Sequence, residues 1–227
     1  FDNEKKVILE EIAMYDDQPF WVLYESAMEQ YYGGSPLGHR VLGTPETIQS
    51  MKRDALAEYF ANRYSADNTT VVLAGRVDFE RTVDEIETKC GHWERTGATR
   101  SYEEIHRNEG KFQKHIPELL QHYHLMIMPS ASFQDERKHA AAALAAILGG
   151  GDGSRLHWAL IDTGLAESAA SSIDLNDHYG EQLAYAVCDP ADAEQVAEIM
   201  RCEMHNLVDS LTEEDLVKVI AKAGTAA

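Results

Sequence analysis

The sequence has little that would carry it into a membrane, onto a nucleic acid or through an oxidising compartment. No apolar run approaches the ~20 residues of a spanning helix, and the opening shows no signal-peptide pattern. Positive charge is scarce: 20 Lys and Arg stand against 39 Asp and Glu, a formal net charge of −19. Phosphate backbones demand stripes of Lys and Arg, so nucleic acid is excluded as a partner, whereas a field of one sign concentrates basic peptides. Cysteine is sparse and odd in number; Cys90, Cys188 and Cys202 are widely spaced, with no Cys-x-x-Cys. That usage suits a reducing compartment with free thiols and excludes a cysteine-based zinc site. The cytoplasm is the expected location, with the periplasm as the alternative. Finally, none of the ten His stands four residues from another, so no helix here projects two imidazoles from one face toward a metal.

The most informative stretch that is present runs from Glu4 to Ile12 (Glu-Lys-Lys-Val-Ile-Leu-Glu-Glu-Ile). At about 100° per residue, Met14, Val7, Glu11, Glu4, Tyr15, Ile8 and Ile12 fall in one arc, with Lys6 and Glu10 opposite. Glu4 and Glu11, a heptad apart, point within about 20° of each other and lie roughly 10 Å apart along the axis. Carboxylates are rarely placed on an apolar stripe unless paired or bound to a metal, so this pair asks for a cation. The helix dipole alone accounts for Glu4, but not for Glu11 two turns further in.

Helices are expected over 4–16, 20–32, 53–64, 79–90, 134–148, 154–162 and 191–209, with another opened by Thr212-x-x-Asp215. Thr44 caps a short helix that begins with Pro45. Thr69–Ala74, a β-branched run closed by Gly75, reads as a buried strand. Leu119–Met128, apolar on both faces, reads as a central strand, and 169–175 with 179–187 as a hairpin around Asn176-Asp177. The polar stretch 96–117, with Gly97 and Gly110, reads as a linker. Gly149-Gly150-Gly151-Asp152-Gly153 ends the alanine-rich helix; lacking Gly-Lys-Ser/Thr, it is no phosphate cradle. His122 and His124 share a strand face, but no third metal ligand is identifiable.

The opening motif, the later Ser35-Pro-Leu-Gly-His-Arg-Val-Leu-Gly-Thr-Pro-Glu-Thr-Ile48, and Leu148-Gly-Gly-Gly-Asp-Gly-Ser-Arg-Leu156 together resemble the pitrilysin/insulinase group of zinc peptidases. These are inverted zincins and include the mitochondrial processing peptidases. The resemblance implies an α/β (α+β) fold of the LuxS/mitochondrial-processing-peptidase type: two related repeats of antiparallel sheet faced by helices, here a partial pair. Residues 1–95 then match the second half of the catalytic-type repeat, 96–117 the linker, and 118–227 the first part of a second, non-catalytic repeat. The chain accordingly reads as an excerpt of a zinc metalloendopeptidase, starting after the segment that carries His-x-x-Glu-His.

In that frame Glu11 is the third zinc ligand, Glu4 a catalytic-site carboxylate that supports it, and Gly149, Gly150 and Gly151 contact the substrate peptide. Zn2+ is expected in the intact protein and not in this stretch alone, which is expected to be inactive. The implied partners are a peptide substrate, the missing N-terminal segment and a homo- or hetero-dimeric assembly. Two departures stand out. His139 is followed by Ala142 and Ala143 where a catalytic helix would carry ligands. After Ser154-Arg155-Leu156 the family's Arg and Tyr are absent, with Glu167 in place of the Tyr. The alternative is therefore a non-catalytic partner or scaffold subunit that binds peptides without cleaving them.

Overall fold

The structure is a computed structural model that describes residues 1–101 and 104–226; Tyr102 and Glu103, inside the expected linker, lie outside the described residues. It divides into two compact units, Phe1–Ala13 with Val41–Glu104, and Met14–Arg40 with Ile105–Ala227.

The first unit is built from the opening of α1 (Asp2–Asp16) with α3 (Pro45–Ser50), α4 (Arg53–Arg63) and α5 (Phe79–Cys90). Local chemistry fixes its joints. The Thr44 hydroxyl accepts from the Thr47 amide while Thr47 reaches back to the Thr44 amide, which satisfies donors that a helix start leaves open. Lys5 Nζ donates to the carbonyls of Gln49 (2.7 Å) and Met51 (3.1 Å). The Asp67 carboxylate collects Ser65 Oγ and the amides of Thr96 and Gly97. What the unit lacks is a core: only Ile12, Ile48 and Ser65 are buried there among the described residues, and α4 and α5 bury nothing.

Thr69–Ala74 departs from expectation. It is not a strand: no described segment pairs with it, and Val72 is 84% exposed. A β-branched run has the propensity for a ladder, but a strand exists only when a second backbone supplies the hydrogen bonds.

The second unit holds an antiparallel sheet of β1 (His122–Pro129), β2 (Ser168–Asn176) and β3 (Tyr179–Cys188) in the order β1-β3-β2. β1, expected to be central, is an edge; β3 is central, flanked on both sides. The apolar character of β1 comes from helices covering both faces, not from neighbours on both edges. The β2–β3 hairpin turns through Asp177-His178, with His178 at φ +67°, one residue on from the expected pair.

On one sheet face Ala184, Ala186 and Cys188 pack with Leu148 of α6 (Lys138–Gly149), Leu156, Leu160, and Val196 and Met200 of α7 (Ala193–Asn206). Alanines on both sheet and helix let the layers approach closely. On the other face lies α2 (Pro19–Tyr32), where Phe20 meets Tyr185 edge-on at 4.9 Å and Tyr32 meets Tyr179 at 6.1 Å, favoured aromatic geometry. Residues 157–161 form a π-turn rather than an ordinary helix. The last helix, α8 (Glu213–Ala226), starts with the expected box: Thr212 Oγ1 accepts from the Asp215 amide and Asp215 from the Thr212 amide. An antiparallel sheet faced by helices is the α+β class that the sequence implies.

Candidate functional site

Glu4 and Glu11 both sit on α1, in the first unit. Glu4 is exposed and Glu11 half-buried, and neither carries a hydrogen bond or ion pair among the described residues. Ile12 is buried, Ile8 and Leu9 are half-buried, while Val7 and Met14, neighbours of Glu11 on the wheel, are each 53% exposed. The helix thus buries its Ile8/Ile12 side and leaves open the side bearing Val7, Glu11, Met14 and Glu4. A half-buried carboxylate without a partner, on an apolar strip, suits one ligand of a shared metal site. The described residues contain no group of three or more His, Cys, Asp or Glu able to hold a metal. A catalytic zinc site takes three protein ligands, and the described residues of this stretch do not bring three together.

Gly149, Gly150 and Gly151 lie in the other unit, and each has a structural task. Gly149 is the last residue of α6 and is buried against β2: a Cβ there would fall on the Ser171 amide and within 2.6 Å of the Ala170 carbonyl carbon. The Gly150 amide closes the helix onto the Ala146 carbonyl, 2.8 Å away. Gly151 adopts φ +90°, the left-handed region where only glycine is unstrained. From α8, Lys222 Nζ donates to the Gly150 carbonyl at 2.6 Å.

The rest of the signature is structural too. Leu156 is wholly buried, and Ser154 Oγ accepts from the His157 amide. Arg155 donates to Ser210 Oγ (2.6 Å), to the Ser210 carbonyl (2.8 Å) and to Asp215 (3.2 Å), clamping the start of α8. Sequence reasoning missed this clamp, since Ser210 and Asp215 lie 55 and 60 residues away. Glu167, in the position of the family's Tyr, is exposed.

His122 and His124 do share a strand face, with ring centroids 4.4 Å apart. Burial, and then the neighbouring His122 ring, hold His124 down to about 4, and its Nε2 is buried without a hydrogen-bond partner. A histidine whose folded pKa lies below the ordinary 6.5 stabilises the fold fully above pH 6.5 and loses that contribution as pH falls toward 4. Acidification from pH 7 to 4.5 is therefore expected to cost the parent about 1–2 kcal/mol more than it costs His124→Phe, read from paired urea melts at the two pH values.

A second buried group also escaped the sequence reading. Glu181, 1% exposed on β3, alternates with Tyr179, Leu183, Tyr185 and Val187 on the face toward α2. Burial pushes its carboxyl up to about 7. The signal was available: one acid within a period-two apolar face.

Comparisons with known proteins fit this architecture. The sequence pattern described as the peptidase M16 inactive domain matches residues 50–223. A protein named an uncharacterized zinc protease in Streptomyces coelicolor is 28% identical over 233 residues, covering 97% of this chain and 50% of that protein. Another so named, from Mycobacterium tuberculosis, is 31% identical over 209 residues, covering 87% and 46%. The chain thus spans about half the length of the curated relatives it matches. Among solved structures, a protease from Helicobacter pylori superposes with a TM-score of 0.82 at 21% identity, covering 99% of this chain and 56% of that one. The peptidase M16 inactive domain from Pseudomonas fluorescens gives 0.79 at 17% identity, covering 100% and 56%. At such identities the structural likeness establishes the fold alone. The sequence match, running over most of the chain, establishes the family: the chain belongs to the M16 peptidases.

Proposed function

We propose that this chain is part of a zinc-dependent metalloendopeptidase, with Glu11 contributing the third zinc ligand and Glu4 supporting it. The observation that carries this reading is the partnerless, half-buried Glu11 carboxylate beside exposed Val7 and Met14. Zinc, when bound, supplies the Lewis acidity for peptide hydrolysis. The chain's own share is to hold one carboxylate toward the metal from a rigid helix, with Glu4 one heptad earlier orienting or charge-balancing that site. Two His and a general base would come from a His-x-x-Glu-His segment that docks on the open side of α1. The apolar side chains left open on α4, α5 and 69–74 support such a covering partner, whether from the same protein or from a homo- or hetero-dimeric subunit. The Gly149–Gly151 turn faces the peptide substrate in this reading, and the acidic balance favours basic peptides. The proposed compartment is the cytoplasm.

The test is zinc content of the full-length protein. Glu11→Gln is expected to lower bound zinc at least tenfold, and Glu4→Gln to weaken affinity about 10–100-fold while leaving a measurable site; unchanged zinc in Glu11→Gln removes it from the ligand set. The exposed Glu167 and the Ala142/Ala143 pair favour a second reading, a subunit that binds peptide without cleaving it. Peptide binding with no hydrolysis in a zinc-loaded preparation would select that one.

A further inference from the structure

Strand β1 has a neighbour on one side only. Just past the end of the ladder the Ser130 amide donates to the Gly180 carbonyl at 2.8 Å, which fixes the phase of the bonds between β1 and β3. In an antiparallel ladder, pairs that exchange both bonds alternate with pairs that exchange none. The bonded pairs are therefore Met128 with Gln182, Met126 with Ala184 and His124 with Ala186. Tyr123, Leu125 and Ile127, in the opposite phase, turn their N–H and C=O groups away from β3. Among the described residues no backbone group bonds to them, and all three residues are half-buried. Buried backbone groups are normally paired. Pro129 is the next residue in that outward phase; its missing N–H takes no bond from β3 and marks one end of the open edge.

Next to this edge the surface dips into an open recess of about 800 Å³. Met126 and Met128 line it from β1, with Glu198, Cys202, Met204 and His205 from α7. β1 is the only strand in that lining, so the recess lies at the border of the sheet rather than over its middle. We propose that a strand from the remainder of the full-length protein adds to β1 along Tyr123–Ile127, taking up the three open N–H and three open C=O groups and setting the side chains of one face into the methionine recess. Five residues suffice, spanning about 14 Å at ~3.4 Å per residue. Thioethers adapt to the shape of what they touch, so the side chains received there are apolar.

The two edges of the sheet differ in how they are guarded. Lasting exposed edges carry charges, prolines or bulges that discourage pairing. β2 has Ser168, Ser171, Ser172 and Asp174. From His122 to Met128, β1 has no Lys, Arg, Asp, Glu or Pro. Helices over both faces account for its apolar side chains, but not for an edge left without a guard. Such an edge suits a permanent neighbour, since obligate contacts are more apolar than transient ones. The curated relatives are about twice as long as this chain, which leaves as much sequence again to supply the strand. Tethered in the same molecule, it pairs without the cost of bringing two molecules together. This pairing is independent of the zinc assignment.

Hydrogen exchange of single amides in the full-length protein reads the edge directly. The Leu125 and Ile127 amides are expected to be protected to within about tenfold of Met126 and Met128, at low and at high protein concentration alike. Exchange of Leu125 and Ile127 more than about 100-fold faster than that of Met126 and Met128 marks an open edge and overturns the proposal. Protection that appears only at high concentration assigns the edge to a second copy and overturns it too. Photo-cross-linking then identifies the strand. With methionine replaced by a diazirine analogue, and isotopically light and heavy protein mixed, Met126 or Met128 is expected to link to sequence outside these 227 residues within the same molecule. Links confined to residues 1–227, or formed only between light and heavy copies, overturn the pairing.

Discussion

Gly149→Ala is expected to destabilise the second unit by roughly 3 kcal/mol, more than an ordinary overpacked core position. The added methyl has nowhere to go. It would meet backbone rather than a yielding side chain: the Ser171 amide and the Ala170 carbonyl carbon at 2.6 Å. Relief requires α6 to lift off β2, which opens the contact of Leu148 with the alanines of β3. Gly151→Ala offers the control, because its φ of +90° costs strain of about 1–2 kcal/mol but crowds no backbone. Urea denaturation of both variants checks the ranking. The comparison also separates two meanings of one motif: if the triplet serves substrate as well as packing, peptide binding by the full-length protein should fall in Gly151→Ala beyond what its lost stability explains.

Leu156→Ala is expected to cost about 2–5 kcal/mol, the range for removing a large aliphatic side chain from a packed interior. Leu156 is wholly buried in the same cluster as Leu148, Leu160, Val196 and Met200, so one truncation opens a cavity against three elements. Its neighbour Arg155 is partly exposed, and there the truncation removes the clamp on Ser210 and Asp215 instead. A loss of about 1 kcal/mol is expected for Arg155→Ala, as for a solvent-accessible polar contact. Thermal melts that ranked Arg155 above Leu156 would contradict this division of labour within the Ser-Arg-Leu stretch.

What could be read from the sequence was whatever neighbours along the chain decide. Thr212-x-x-Asp215 and Thr44-Pro45 set their helix starts through hydrogen bonds spanning three residues. The β2–β3 hairpin followed from alternation and a polar turn. The glycine run was recognised and does end the helix at Gly149, but the close approach of Gly149 to residues 170 and 171, which its missing side chain allows, could not be read locally. Thr69–Ala74 could not be settled locally, because propensity does not state whether a second backbone will be present. The edge position of β1 was hidden for a similar reason: its apolar residues report coverage by helices, not the number of strands beside it. The carboxylates of α1 were legible as an anomaly on a wheel; which side of that helix stays open was not, since Ile8 and Ile12 satisfy the same pattern.

The unpaired backbone of Thr69–Ala74 bears on how this stretch of protein behaves when handled alone. Six consecutive residues without charge or proline, four of them β-branched, have the composition that adds to itself in stacked ribbons. Only Asp67 on one flank, and Arg76 and Asp78 on the other, act as gatekeepers. Exposed as it stands, the run carries a ready template for aggregation, and the seed of any fibre the chain forms lies in these few residues.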